Sequence, residues 1–507
     1  MVAGSEVSSA LGAKFAKSGR WLNGAWWNRG ALGAVLLGVM VAAGCGGGGM
    51  QTTSPHPIQG ESTKVSVVAS SAGNDQLIQF ELTMQNLILA GEDATQAPLV
   101  SAPQQVEFMH LNAGGEPLVT VSVPQGVYTK ATMTVSYGTF VCAAQESGTD
   151  SIAHYSTLPK QVTVNLPQPL VVDGNTMTLS LEMLVGQSAT LPSDCYEQGF
   201  AGDSMTPTFN LTEMTLAAQP TNATNGKLMA LEGLVSNTAA APGGFTVSAA
   251  DGTAVDTTLN TTWTVETGAN TVFQGIGNAA GLGAGMPVDI DGTLQADGSV
   301  LATRVAVLDA DTTNLTMNSG PLMQVASSVP VLSQVNQLAE GSEQYVRTWP
   351  QYDFGNATFS VWGGLTNMAS LPFGASFRAS NLVPGQMVAV TTHVTDIPNG
   401  PNYTPATTVT LMPQTIDGTV TATATAGGFT TYTVQLAAYD MFPQFAVQGG
   451  QPTRLTNPSQ VVVYADANAQ TVGGGETNNL GRFTGVIFND NGTLRMDATQ
   501  VANGVAE

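Results

Sequence analysis

Apolar and polar positions alternate along much of this chain. Ile78-Gln79-Phe80-Glu81-Leu82-Thr83-Met84-Gln85 changes character at every residue, the period-2 signature of a strand with one buried face. Val119–Val123 and Val127–Tyr137 behave likewise, and Pro124-Gln125-Gly126 between them is a turn signal. Val162–Leu166, Thr176–Val185 after the Asp173-Gly174 turn, and Thr208–Leu216 complete about eight strands. Strands so short and so often punctuated predict an antiparallel β-sandwich over residues 63–218.

Beyond residue 226 the pattern repeats itself, and repetition is the strongest internal signal the sequence carries. Leu282-x-x-Gly285-x-x-Val288 returns as Leu382-x-x-Gly385-x-x-Val388, 100 residues on. Ala302-Thr303-Arg304-Val305 returns as Ala406-Thr407-Thr408-Val409 and as Ala498-Thr499-Gln500-Val501. Gly233-Leu234-Val235 corresponds to Gly418-Thr419-Val420, each followed by Gly-Gly-Phe-Thr, at 243–246 and 427–430. The middle copy starts near Gly320 without that turn, and 336–353 interrupts it as an insertion. Asp297-Gly298 and Asn491-Gly492 between alternating runs are hairpin turns. Each copy therefore reads as a five- or six-stranded meander whose edges are best removed by closing a small barrel. The copies are expected at 226–312, 316–412 and 413–507.

The first 45 residues differ from the rest. Lys14, Lys17, Arg20 and Arg29 form a basic leader, and Ala31–Gly44 is an unbroken run of small and apolar residues. As a helix that run reaches roughly 21 Å, short of a bilayer's ~30 Å core, so it predicts a signal-peptide core rather than a spanning segment. It ends in Ala42-Ala43-Gly44-Cys45, which resembles the lipobox of bacterial lipoproteins, although Leu is usual where Ala42 stands. The resemblance implies lipidation of Cys45 as the first mature residue. Gly46 stands where that family's inner-membrane retention signal has Asp, which implies the outer membrane. Residues 46–62 form a Gly/Pro/Ser tether.

Two further resemblances concern the folded part. Leu82-Thr83-Met84-Gln85-Asn86-Leu87, Val106-Glu107-Phe108, Leu111-Asn112 and Val123-Pro124-Gln125-Gly126-Val127-Tyr128 are similar to an uncharacterised, transthyretin-like sandwich domain that begins many envelope lipoproteins. The repeated copies, with Thr271-Val272-Phe273 and Asp297-Gly298-Ser299 in the first, look like a second uncharacterised envelope domain built as an OB-like barrel. Neither family brings catalytic residues. The expected fold is all-β: one sandwich followed by three tandem small barrels.

Composition narrows the partners. Net charge is −22 with only 14 Lys and Arg, so a phosphate backbone is excluded as a partner. Residues 1–44 carry four basic residues and one acid, a net +3, so the rest of the chain stands at −25. Besides Cys45 there are Cys142 and Cys195, which in an exported protein most simply pair. Closing that loop contributes ~4 kcal/mol on the chain-entropy estimate. Two free buried thiols and a metal site are the other readings.

No motif commits the chain to catalysis. His56, His110, His154 and His393 are scattered, with no pair at ligand spacing. Gly275-Ile276-Gly277-Asn278-Ala279-Ala280 fits a dinucleotide string, but the glycines and Pro287 that follow forbid the helix it needs. Gly202-Asp203-Ser204 resembles a serine-hydrolase nucleophile region, and Met205-Thr206-Pro207 then departs from it. Asp289, Asp291, Asp297, Asp309 and Asp311 gather in the first copy as turn carboxylates, with an incidental calcium site as the alternative. Trp349, Tyr352, Phe354, Phe359 and Trp362 cluster beside the insertion. Of these, Trp349, Tyr352 and Trp362 are the candidate ligand contacts, as apolar platforms for a sugar, with a core plug under a long loop as the alternative.

The sequence therefore predicts a non-catalytic, lipid-anchored envelope protein that acts as an interaction or structural scaffold and needs no cofactor. Its expected partners are the membrane, through the lipid, and an envelope protein or glycan. The alternative is a carbohydrate-binding lipoprotein using the aromatics of the second copy. An enzyme would require a buried carboxylate pair that only coordinates reveal.

Overall fold

The computed structural model describes residues 60–504, apart from 74–75, 113, 146–150, 190–204, 217–225, 242, 250–261, 326–329, 333, 340–341, 349, 366–367, 394–402, 439 and 449–454. For 142–145, 151–159, 239–241, 249, 330–348 and 447–448 it describes backbone alone. The protein is all-β, as its alternation predicts.

Two sheets make the N-terminal sandwich. In one, β1 (Ser62–Ala72) lies between β5 (Glu116–Pro124), antiparallel to it, and β8 (Thr176–Leu184), parallel to it, with β9 (Phe209–Glu213) beyond. The other runs β3 (Gln96–Val100), β2 (Leu77–Gly91), β6 (Gly126–Gln145), β7 (Ser151–Val172), and β4 (Gln104–Glu107) also pairs with β2. Alternate residues from both sheets, among them Val67, Phe80, Leu82, Met133 and Leu181, fill one core. A short helix, α1 (Val185–Ser188), ends β8.

The first repeat is a closed five-stranded barrel. Its strands are β10 (Lys227–Ala241), β11 (Gly244–Ala249), β12 (Thr262–Gln274), β13 (Pro287–Leu294) and β14 (Val300–Val307), in the order β10-β11-β12-β14-β13. The third repeat closes in the same order with β24 (Gln414–Ala426), β25 (Phe429–Gln435), β26 (Gln460–Val472), β28 (Thr493–Asn503) and β27 (Leu480–Asp490). In both, the third strand runs parallel to the fifth. The shared glycine of the opening strand has a steric cause. A Cβ on Gly233 would stand 2.6 Å from the Ser248 carbonyl oxygen, and one on Gly418 2.7 Å from that of Gln435. Only glycine lets the first strand cross the second so closely.

The middle repeat differs from the expected barrel: among the described residues it is an open sheet. It contains β15 (Thr316–Val325), β16 (Pro330–Leu332), β17 (Gln334–Ala339), β18 (Ser342–Thr348), β20 (Thr358–Val361), β21 (Met387–Thr392) and β23 (Thr408–Leu411). Strands β18 and β20 are its two ends, in the order β18-β17-β15-β21-β23-β20, with β16 against β15. The chain between those ends contains Pro350, which cannot donate to a ladder, and then β19 (Tyr352–Asp353), which pairs with β22 (Thr404–Pro405) instead.

What the open sheet lacks in closure its neighbours supply. The middle core, built on Met317, Leu322, Trp362 and Val409, continues into Leu234 of the first barrel and Val486 and Phe488 of the third. Polar contacts tie the rest together. Trp263 Nε1 donates to the Pro117 carbonyl at 2.8 Å, joining first barrel to sandwich. Gln386 Nε2 donates to the Ile487 carbonyl at 3.0 Å, and Thr415 Oγ1 to the Asn112 carbonyl at 2.8 Å. The helix α2 (Met441–Gln448) sets Phe445 beside Ile78 and Val141 of the sandwich and Met323 of the middle repeat.

Candidate functional site

Because the third barrel returns to the sandwich, the four modules enclose space between them. A cavity of about 320 Å³ takes its walls from His110 and Glu116 of the sandwich, Glu232 of the first barrel, Met387 of the middle repeat, and Thr484 and Gln500 of the third. Met109, Met214, Met229, Met387, Met412 and Met441 make its apolar lining soft and adaptable. A second cleft, of about 640 Å³, lies where the first, middle and third repeats meet. The two spaces share Lys227, Leu228, Met229, Trp362 and Thr499 as walls.

His110 is held at the cavity wall by two carboxylates. Its Nδ1 is 3.1 Å from Glu107 and its Nε2 3.3 Å from Glu116. Glu107 is fully buried and also accepts from the backbone N–H groups of Phe80, Met109 and His110. Burial opposes a charge on the imidazole, but Glu116 and Glu107 more than offset it and push its pKa up to about 10. His110 is thus a fixed imidazolium.

A second set of charges borders the cleft. Arg304, on β14, donates from Nε to Asp291 at 2.7 Å and from Nη2 to Asp289 at 3.0 Å, both on β13. Its guanidinium lies 5.3 Å from the ring centre of Trp362. Burial raises the pKa of Asp289 to about 7, with Arg304 pulling the other way. On the third barrel, burial and then Asp466 raise that of Asp497 to about 7. Burial lowers the pKa of Lys227, with Asp291 opposing.

Superposing the repeats by strand register shows where this chemistry comes from. The facing pair Asp291 and Arg304 of the first barrel corresponds to Thr391 and Thr408 in the middle repeat and to Thr484 and Gln500 in the third. Thr391 and Thr408 join hydroxyls at 2.7 Å. One structural position therefore carries an ion pair, a hydroxyl pair or a neutral pair.

The candidate residues of the sequence are placed as follows. Tyr352 is buried, stacks on Phe354 at 6.0 Å and meets Asn318 through its hydroxyl. With Phe359 and Phe377 it forms an aromatic core, so it offers no platform to solvent. Trp362 is also buried, but it borders both spaces. Trp349, Cys45, Cys195, His56 and the Gly202-Asp203-Ser204 string lie outside the described residues, and of Cys142 and His154 only the backbone is described, in β6 and β7. The pairing of Cys142 with Cys195 therefore rests on the sequence alone. His393 bonds to Asp309 at 2.9 Å. Asn278 caps a three-residue turn, Ala279–Gly281, where a dinucleotide site would need a helix. Among the described residues no three His, Cys, Asp or Glu side chains group as metal ligands.

Against known proteins, residues 232–306 match a family model described as Domain of unknown function (DUF5666). That stretch runs from Glu232 in β10 to Ala306 in β14, nearly the whole first barrel. No curated protein and no solved structure matches the chain. The protein is thus all-β, a sandwich followed by two closed small barrels with an open sheet between them, and its first barrel is similar to this uncharacterised family.

Proposed function

We propose that the protein is a lipid-anchored scaffold of the bacterial envelope, held at the outer membrane through Cys45 and acting by binding rather than catalysis. The reading is supported at one end by the basic leader, the apolar run and the Ala42-Ala43-Gly44-Cys45 sequence, followed by a Gly-rich tether. The observation that carries it at the other end is the bonding of each module to its neighbours and of the last back to the first, through Thr415 and Asn112. A body of that kind presents a fixed surface and an internal cavity. Its partner is an envelope protein or a glycan.

Labelling cells with a radioactive fatty acid tests the anchor. The wild-type chain incorporates label and sediments with outer membranes, whereas Cys45→Ser loses both properties. A wild-type chain that stays unlabelled and soluble, or a Cys45→Ser chain that still sediments, overturns the reading.

A further inference from the structure

The cavity between the four modules is bordered by an irregularity in an otherwise regular ladder. On β10, Met229 and Ala230 stand opposite the single residue Asp291 of β13, which makes a β-bulge. Ala230 adopts the left-handed region, with φ at 53°, without being glycine, and its N–H donates to Asp291 at 3.0 Å, which pins the bulge. The corresponding ladders of the other two repeats, β15 with β21 and β24 with β27, run without a shift. Backbone strain of this kind is characteristic of places where a side chain is re-aimed. Here it falls at Lys227, Leu228, Met229 and Ala230, all of which line the cavity.

Lys227 is the charge left over at this wall. It is half-buried, its Nζ makes no hydrogen bond or ion pair among the described residues, and that nitrogen is not sealed from solvent. Asp291, whose charge acts on it, has both oxygens engaged, one by Arg304 Nε and the other by the Ala230 N–H. Burial therefore lowers the pKa of Lys227, and Asp291 offsets it only in part. The rest of the lining is largely apolar: Met109, Met214, Met387 and Met441 border the cavity and are half-buried rather than sealed.

We infer that this cavity binds a small amphipathic monocarboxylate, an aliphatic or aryl acid whose carboxylate pairs with Lys227 and whose apolar body lies among the methionines. A half-buried ammonium lacks only an acceptor, and a carboxylate supplies two oxygens for a charge-assisted bond. The other charges of the wall limit the ligand to one negative charge. Glu116 is matched by His110 at 3.3 Å, and Glu232 accepts from Ser319 Oγ at 3.1 Å. A phosphate would bring a second negative charge beside those two carboxylates, and an alkylammonium would meet Lys227. The volume, about 320 Å³, is at the lower end of small-molecule sites, which suits a short or medium acyl chain. Gly114 at its edge is exposed, so the space is reached from solvent. The contact requires no ion pair to break, since Arg304 keeps Asp289 and Asp291. The inference goes beyond the anchored-scaffold reading and does not depend on Cys45.

Isothermal titration of the purified full chain in detergent, with detergent alone as the blank, tests it with octanoate and decanoate as probes and octylammonium, octanol and inorganic phosphate as controls. At least one of the two acids is expected to bind saturably below about 1 mM, and Lys227→Met weakens it about tenfold while Lys227→Arg stays within about threefold of the wild type. Met387→Trp, which fills the space, abolishes the binding. Lys227 bonds to no other side chain, so loss of binding in Lys227→Met is not loss of fold, which circular dichroism checks in each variant. Tighter binding of octylammonium or phosphate, octanol bound as tightly as octanoate, an affinity unchanged in Lys227→Met or in Met387→Trp, or no saturable heat with either acid overturns the inference. Loss of lipid labelling at Cys45 with octanoate binding intact would remove the anchored reading and leave this one standing.

Discussion

Two buried titratable groups set the pH behaviour at the level of single residues. The carboxyl of Asp497 has its pKa raised to about 7 by burial and by Asp466, well above its value in an unfolded chain. Protonation therefore favours the fold. Its contribution is complete below about pH 4 and is lost as pH rises through about 7. Replacing it by Asn removes that loss: Asp497→Asn matches the wild type near pH 4 and is more stable by on the order of 2 kcal/mol near pH 8. Melting temperatures of both chains across that range check this, and equal pH profiles refute it. His110 titrates later. With its pKa raised to about 10 by Glu116 and Glu107 against the effect of burial, it stabilises fully below about 6.5 and ceases to as pH rises through about 10. The penalty of His110→Gln is thus largest below about pH 6.5, where Glu107 and Glu116 lose an imidazolium partner, and shrinks toward pH 10. Thermal melts of His110→Gln and wild type at intervals up to about pH 10 read it, and a constant gap contradicts it.

At the scale of elements, the sequence and the structure agree where a pattern is local. The alternation from Ile78 to Gln85 lies inside β2, and the repeated Ala-x-x-Val strings mark β14, β23 and β28 or the residues beside them. The shared Gly233 and Gly418 carry a further prediction. Gly418→Ala forces a Cβ to within 2.7 Å of backbone in the neighbouring strand and 2.6 Å of Val434, neither of which can yield cheaply. It is expected to cost about 2 kcal/mol in denaturant unfolding, and a cost under about 0.5 would show the crossing to be slack. Closure of the middle repeat was not legible. Its Leu382-Val388 string has the spacing of a barrel, but closure requires β18 to meet β20, and the chain around Pro350 diverts to β22. The candidate site was legible only in part. Trp362 stood out as an aromatic. Arg304 and Asp497 did not, because the first looks like a variable position in Ala-Thr-x-Val and the second like any acid in an alternating strand. Their importance comes from facing residues of other repeats, which no local pattern records.

At the scale of the whole molecule, the interesting consequence is that the modules are not independent. The middle core is completed by Leu234 on one side and by Val486 and Phe488 on the other, so removing either barrel opens apolar surface on the middle repeat. The third barrel also supplies Phe445 to a cluster with Ile78, Val141 and Met323, and Phe442 stands where a Cβ on Gly385 would be, 2.6 Å away. Truncation before Gln414 therefore takes away a wall, not a bead. Strands β15 and β21, central in the open sheet, are expected to lose their hydrogen-exchange protection in a chain ending at 413, whereas β1 and β8 of the sandwich, which share no core with the third barrel, keep theirs. If β15 and β21 stay as protected as in the full chain, the middle repeat is a self-sufficient domain and the shared core is incidental. If they open, the tandem array has to be regarded as one cooperative body, and a cleft assembled from three of its modules is then as rigid as the body itself.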